Sequence, residues 1–177
     1  MKGNWQTLWK LAVVAVLAVI ATGFFISRLS RLRQSGEEGA KVWFYDQSAG
    51  RLYEAGVDTI PPDKGITGHA QDGVKAVVIC FRAEQSDPRK RRVAYLETYG
   101  PELKALLEQV QAARRNGRTL KQQLPPRESL FFQTNNFVKR VEESEWHATS
   151  SPEGRKIMAE WRSWRGANGE TPVVCVP

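Results

Sequence analysis

Histidine and cysteine are scarce in this chain. Its 177 residues hold two of each, His69 and His147, Cys80 and Cys175. Counts this low exclude a disulfide-dense mini-protein and a multi-cysteine zinc or iron–sulfur scaffold. The signatures G-x-x-x-x-G-K-S/T, G-x-G-x-x-G after a strand, H-E-x-x-H, C-x-x-C, C-x-x-C-H and G-x-S-x-G are also missing. Phosphate cradling, zinc proteolysis, thioredoxin exchange, covalent haem attachment and hydrolase chemistry therefore lack their sequence marks. Internal repeats and low-complexity segments are lacking too. Wholesale disorder is disfavoured, because apolar residues make up 41% and charged residues 25% of the chain.

Acidic residues are absent from the first 27 positions, where the only cations are Lys2 and Lys10. From Leu11 to Ser27 the run LAVVAVLAVIATGFFIS carries no charge at all. Seventeen helical residues rise about 26 Å, near the lower limit for a bilayer core of roughly 30 Å. Snorkelling flanks close the gap, and Trp5 and Trp9 stand where an aromatic belt would place them. The reading is a single transmembrane helix over residues 11–29, with Leu11, Val14, Leu17, Ile20, Phe24 and Phe25 as its lipid-facing anchor. Residues 1–10 form a short tail before it. Ala21-Thr22-Gly23 offers a weak signal-peptidase site, but Phe24–Ile26 continue the apolar stretch beyond it, which favours an uncleaved anchor.

Residues 30–40 read as a juxtamembrane linker. Leu29 and Leu32 lie three apart among Arg28, Arg31 and Arg33, which are candidates for contact with lipid phosphate. A solvated tether is the plainer alternative. The remaining 150 residues after Ser27 carry 24 cations and 19 anions, a moderate positive excess. The positive-inside count leans toward a cytoplasmic domain, since Arg28, Arg31, Arg33 and Lys41 outnumber Lys2 and Lys10.

Residues 41–177 carry the pattern of an α+β domain. Val42–Tyr45 and Leu52–Tyr53 are β-rich, and Asp46-Gln-Ser-Ala-Gly50 between them has turn chemistry, so a hairpin is expected. Pro61-Pro62 marks a loop crossing the domain. Val74–Phe81 reads as a buried strand, followed by the charged excursion RAEQSDPRKRR and by a strand over Val93–Tyr99. A helix is predicted from Glu102 to about Asn116, with Leu103, Leu106, Leu107 and Val110 on one face and Gly117 as its stop. Ser129–Val141 reads as one or two strands. Ser151-Pro152-Glu153 caps a second helix that reaches Trp164 and buries Ile157, Trp161 and Trp164. Thr171–Val176 reads as a terminal strand. The expected architecture is a transmembrane helix followed by a small mixed or antiparallel sheet with two helices packed on it.

Three constellations carry chemistry or binding. Cys80 and Cys175 either form a disulfide or are two unrelated buried thiols; a thiolate paired with His147 is a third option. Joined, they would close a loop of about 95 residues and restrict the unfolded chain by roughly 4 kcal/mol. A disulfide would set the domain outside the cytoplasm, against the charge lean. The basic groups Arg89-Lys90-Arg91-Arg92 and Arg114-Arg115…Arg118…Lys121 lack interleaved aromatics, so they read first as solvated charge, next as a membrane-facing patch and last as a nucleic-acid site. Glu142, Glu143 and Glu145 beside Trp146 read as a charged strand end rather than an acid–base pair. No catalytic residue, metal ligand or cofactor is implied, and no small-molecule substrate is indicated.

The motifs V-W-F-Y-D-x-x-x-G-x-L (Val42–Leu52), I-P-P (Ile60–Pro62), G-V-K-A (Gly73–Ala76), Y-L-E-x-Y (Tyr95–Tyr99), S-P-E-G (Ser151–Gly154) and the terminal P-x-x-C-x-P resemble those of small membrane-anchored proteins of planctomycete-type bacteria. The resemblance implies a tethered domain over residues 42–177 and supplies no catalytic residues. Extra cysteines follow the central strand in that class. Here the stretch CFRAEQSDPRKRR has one, so a metal or redox role tied to them does not carry over.

These features together predict a bacterial inner-membrane, single-pass protein with a periplasmic domain. It would act as an accessory or structural subunit of a larger membrane or cell-envelope complex, with the bilayer and other subunits as partners, no nucleic acid and no catalysis of its own. A tethered ligand-binding domain or an enzyme with an unadvertised site is the first alternative. A minor pilin- or secretion-type component is the second, disfavoured because no prepilin cleavage motif precedes the apolar run.

Overall fold

A computed structural model describes residues 39–69, 71–118 and 124–177. Every anchor residue from Leu11 to Phe25, and Arg28, Arg31 and Arg33, lie outside that set. Among the described residues no helix is long and apolar enough to cross a membrane. Lys41–Pro177 form one compact unit.

The hairpin forms as its residues predict. Strands β1 (Lys41–Asp46) and β2 (Arg51–Gly56) pair antiparallel, and Gly50 takes φ +62° to close the turn. A left-handed φ is cheap only without a Cβ. Strand β3 (Gly73–Cys80) is the apolar run GVKAVVIC, and it sits mid-sheet. Its partner β4 (Arg92–Tyr99) pairs antiparallel with a register shift: Val77 faces Tyr95 and Val78 faces Val93, leaving Ala94 as an extra, bulged residue. The charged excursion between them is two single turns of 3₁₀ helix, Arg82–Glu84 and Pro88–Lys90.

Helix α1 (Pro101–Arg115) matches the expected span, with Pro101 in its first turn and Gly117 at φ +63° just past its end. Leu103 is fully buried, whereas Leu106, Leu107 and Val110 are half-buried. The segment read as one or two strands divides instead. Leu130–Asn135 is a short helix, α2, and only Asn136–Lys139 is strand, β5. The reason is local: Ser129 Oγ accepts from the Phe132 amide at 3.2 Å, an N-cap that starts a helix before the β-prone residues begin. Among the described residues the domain thus carries three α-helices rather than two.

Strand β6 (His147–Ala148) was not foreseen; it pairs with β5. Helix α3 (Pro152–Glu160) begins as predicted, with Ser151 Oγ accepting from the Gly154 amide at 3.0 Å. It stops at Glu160 and tightens into a 3₁₀ turn over Trp161–Ser163, so it falls short of Trp164. Ile157 is fully buried, but Trp161 and Trp164 are half-buried. The last strand, β7 (Val173–Val174), pairs with β3 at Ile79 and Cys80.

Among the described residues the result is one antiparallel seven-stranded sheet, ordered β2-β1-β3-β4-β5-β6, with β7 paired to β3 beyond the point where β1 leaves it. One apolar cluster joins Trp43, Val74, Ala76, Val78, Cys80, Leu96 and Cys175. Alternation places Phe44, Glu97 and Val138 on the opposite face, over which α2 and α3 lie. Phe44, Val138 and Ile157 are fully buried.

The loop between β2 and β3 is tied down by one side chain. Asp46, fully buried at the end of β1, accepts from Ala49 N through Oδ1 at 2.8 Å. Its Oδ2 accepts from Ile66 N at 2.7 Å, Thr67 N at 3.0 Å and Thr67 Oγ1 at 3.1 Å. Gly65 passes beside Oδ2 at φ +68°, where a Cβ would collide with the carboxylate. The Ala49 and Thr67 amides, outweighing burial, pull the Asp46 carboxyl from 3.8 down to about 2.

Two outcomes follow from this packing. A carboxyl depressed on folding adds stability that is complete above its unfolded pKa and lost as pH falls toward the folded one. Asp46→Asn should therefore lower the thermal midpoint by several degrees at neutral pH, and the gap to the native chain should narrow between pH 3.8 and about 2; melts across pH check it. Ile157→Ala should cost about 2–5 kcal/mol in denaturant unfolding, because it empties a site sealed between α3 and the sheet.

Candidate functional site: a cleft between α2, α3 and the sheet

Strands β4 and β5 place Glu97, Asn136 and Val138 on the face that α2 and α3 cover. Glu97 Oε1 accepts from Asn136 Nδ2 at 2.9 Å, and Glu97 Oε2 lies 3.6 Å from Lys75 Nζ. The Glu97 charge is thus offset within the sheet. Asn136 is 8% exposed, and its Oδ1 has no hydrogen-bond partner among the described residues. A buried acceptor left bare is uncommon in a folded chain and calls for an explanation.

Asn136 is one of the residues lining an open cleft of about 310 Å³. Phe132 and Met158 supply its apolar lining, and Arg127 and Arg155 its charge. Thr149 Oγ1 donates to Gln133 O at 3.0 Å, bracing the wall between α2 and β6. Phe132 meets Tyr99 edge-on at 6.0 Å. Burial first, and then the Glu97 carboxylate, push the Tyr99 hydroxyl up to about 12. Arg155 donates to the Ser150 carbonyl, and neither Arg127 nor Arg155 pairs with a carboxylate among the described residues. With Glu97 compensated by Lys75, the cleft is net positive.

A larger cleft of about 420 Å³ lies between the loop after β2 and α1. Two side chains of α1 bridge it to the loop. Lys104 Nζ donates to the Pro62 carbonyl and stands 3.8 Å from Glu108, and Gln111 Nε2 donates to Asp58 O at 2.7 Å. This is a seam holding helix to loop.

The residues singled out in the sequence fall as follows. Cys80 and Cys175, 95 residues apart and both buried, are joined in a disulfide with their Cα atoms 6.0 Å apart. The Cys175 amide also donates to Val78 O at 2.8 Å, so the tail is held by a bond and by a ladder contact. Cys80 is committed there, and His147 lies on β6 with no thiolate to activate. The basic run after β3 is largely used internally. Arg89 pairs with Asp87 at 3.2 Å and Lys90 with Glu84 at 3.1 Å. Arg91 stacks over Trp43 at 4.9 Å, and Arg92 over Phe81 at 5.6 Å. Arg114, Arg115 and Arg118 are exposed, and Lys121 is outside the described residues. No group of three His, Cys, Asp or Glu side chains among the described residues could hold a metal ion.

Glu143 belongs to a network the sequence did not suggest. Arg140 donates to Glu160 through Nε and Nη2, both at 2.7 Å, to Glu143 at 2.6 Å and to Glu153 at 3.0 Å. These bonds hold the Glu143 and Glu153 carboxyls below their ordinary values and raise the Arg140 guanidinium further. Nearby, Lys139 Nζ donates to Glu143 O at 2.9 Å and lies 5.1 Å over the Trp146 ring, and burial lowers its pKa. No local motif marks Arg140, Arg127 or Asn136, and the Y-L-E-x-Y motif that holds Glu97 does not show its partners, because these come from other elements.

Compared with protein-family models, with curated proteins and with solved structures, the chain has no significant match. The likeness of its hairpin and terminal motifs to small membrane-anchored planctomycete-type proteins therefore rests on those motifs alone.

Arg140 should act as a structural clamp between β5 and α3. Arg140→Ala should destabilise the domain by about 1–3 kcal/mol, the range for hydrogen bonds between charged groups. Arg140→Lys should recover only part of that, since an ammonium cannot reproduce the forked grip on Glu160. Urea unfolding of both variants checks the order.

Proposed function

We propose that the protein is a single-pass membrane protein of the bacterial envelope, and that its α+β domain works by binding, as an accessory subunit on the periplasmic side. The observation that carries the reading is the uncharged run Leu11–Ser27, which with its snorkelling flanks reaches across a bilayer core and is followed within six residues by Arg28, Arg31 and Arg33. The Cys80–Cys175 disulfide supports the side of the membrane, since such bonds persist in oxidising compartments. It outweighs the small excess of positive charge after the anchor, a weak orientation signal in a chain with one helix.

Support for a binding role comes from the surface. Leu130 is 73% and Phe131 38% exposed, while Phe132 beside them is buried. One face of α2 thus packs the domain and the other offers apolar surface to a neighbour. Arg28, Arg31 and Arg33 would hold the linker against lipid phosphate.

Fractionation with thiol labelling tests the reading. The full chain should sediment with membranes, resist carbonate extraction and leave only in detergent. In intact cells a membrane-impermeant maleimide should label Cys80 and Cys175 only after treatment with a reductant and a mild denaturant. A chain released without detergent, or thiols that label without reductant, would sink the proposal.

A further inference from the structure

The two basic groups, 89–92 and 114–118, meet at one end of the sheet, and it is the end at which the N-terminal chain enters. Strand β1 runs antiparallel to β3, with Phe44 opposite Lys75 and Asp46 opposite Gly73. Its first residue, Lys41, therefore lies toward the end where β3 stops and β4 starts. There Ile79 pairs with Arg92, and the 82–92 excursion leaves β3 and returns as β4. Helix α1 starts at the opposite end, just after Tyr99, and runs back: its Arg115 lines one cleft with Gly56, the partner of Lys41 in the hairpin. Exposed Arg82, Arg89, Lys90 and Arg92 thus share an end with exposed Arg114, Arg115 and Arg118. The acids among them, Glu54, Asp58, Glu84 and Asp87, are fewer than the cations. Exposed ion pairs contribute little, so a phosphate can take the place of an acid. Stacking of Arg92 on Phe81 leaves its charge in place.

We propose that this end of the domain docks on anionic lipid headgroups and so fixes which way the domain stands on the bilayer. The inference rests on the anchor reading given above. Under that reading, residues 30–40 reach at most about 37 Å even fully extended. Lys41 and the cations around it are therefore kept close to the lipid surface. Their effective concentration against headgroup phosphate is set by the tether rather than by free diffusion. Charge complementarity selects the lipid: an anionic leaflet attracts surface cations, a zwitterionic one does not, and the attraction fades beyond a Debye length. The far end of the sheet has a different character. Helix α2 feeds β5 there, with Asn135 O accepting from Gly100 N at 2.8 Å. A domain docked by its basic end leaves the exposed Leu130 and Phe131 on the side away from lipid, open to a partner subunit.

The full chain tests it, reconstituted in vesicles of phosphatidylcholine alone or with a third of that lipid replaced by phosphatidylglycerol. A nickel-chelating lipid relaxes a nitroxide only at short range, so it reports nearness to the headgroups. The nitroxide is placed on Ser86→Cys in the basic excursion or on Leu130→Cys in α2, both exposed positions, while the native cysteines stay locked in their disulfide. At about 50 mM salt, phosphatidylglycerol should raise the relaxation at Ser86→Cys roughly fivefold, the effect of one cation drawn to an anionic surface. At about 500 mM salt the Debye length falls to about 4 Å and the rise should vanish. Leu130→Cys should keep its phosphatidylcholine value throughout. Arg82→Gln, Arg89→Gln, Lys90→Gln and Arg118→Gln combined should abolish the rise and leave the melting curve unchanged, since exposed pairs contribute little. Relaxation at Ser86→Cys that ignores phosphatidylglycerol, in a chain that floats with the vesicles, would overturn the docking and leave the anchor standing. So would a rise that survives in the quadruple variant, or an equal rise at Leu130→Cys. A chain that does not float with either vesicle would overturn the anchor reading and the docking together.

Discussion

The buried carboxylate of Asp46 is the constraint on which the middle of the domain depends. The stretch from Val57 to Asp72 is rich in Gly, Pro and Asp and has almost no ladder of its own. A loop of that length would cost conformational entropy that few apolar contacts repay. Asp46 gathers its far end: two backbone amides and a hydroxyl from Ile66 and Thr67 converge on one oxygen, and Ala49 closes the hairpin turn on the other. The charge is tolerable in the interior because four donors replace its water. Asp63 and Gly73 then bridge through both of their backbone groups, so β3 enters the sheet in a single register. A one-residue slip there would turn Val74, Ala76 and Val78 to the wrong face. Gly73 has no space for a side chain, because the Tyr53 hydroxyl and Gly65 press against it. Turn, loop and central strand are thus one device.

The second closure acts at the other end of β3. β1 leaves β3 after Lys75, and β7 takes the same flank at Ile79 and Cys80. The tail that supplies β7 is too short to hold itself by ladder bonds, since the strand has two residues. The disulfide fixes it covalently and buries both sulfurs in the cluster of Trp43, Val74 and Leu96. On the opposite face, Arg140 does the equivalent work for α3 by engaging carboxylates from the turn after β5 and from both ends of the helix. Charge therefore does on the helical side what a covalent bond does on the other.

The cleft owes its character to that division. Arg155 and Met158 of α3 and Phe132 and Gln133 of α2 line the gap between the two helices. Because Glu97 is held by Lys75 and Asn136, it contributes structure and little net charge.

Much of the fold was legible in the chain before any coordinates. The hairpin, the buried run of β3, α1 with its proline start and glycine stop, and the Ser151 cap of α3 all depend on neighbours within a few residues. Such signals survive in one dimension. The helix at Leu130–Asn135 was hidden because a hydroxyl cap outweighed the β preference of the two phenylalanines, and β6 was hidden because two residues have no periodicity. Whether the two cysteines meet, which arginine grips three acids, and which asparagine keeps a bare oxygen are questions of distance between segments far apart in sequence. By itself the chain determined its local elements, its uncharged N-terminal stretch and its shortage of catalytic motifs, since each is a property of composition and nearest neighbours. Only the tertiary structure decided the sheet order, the clamp at Arg140 and the chemistry of the cleft, because a side chain's charge and hydrogen bonds are set by what folding brings beside it.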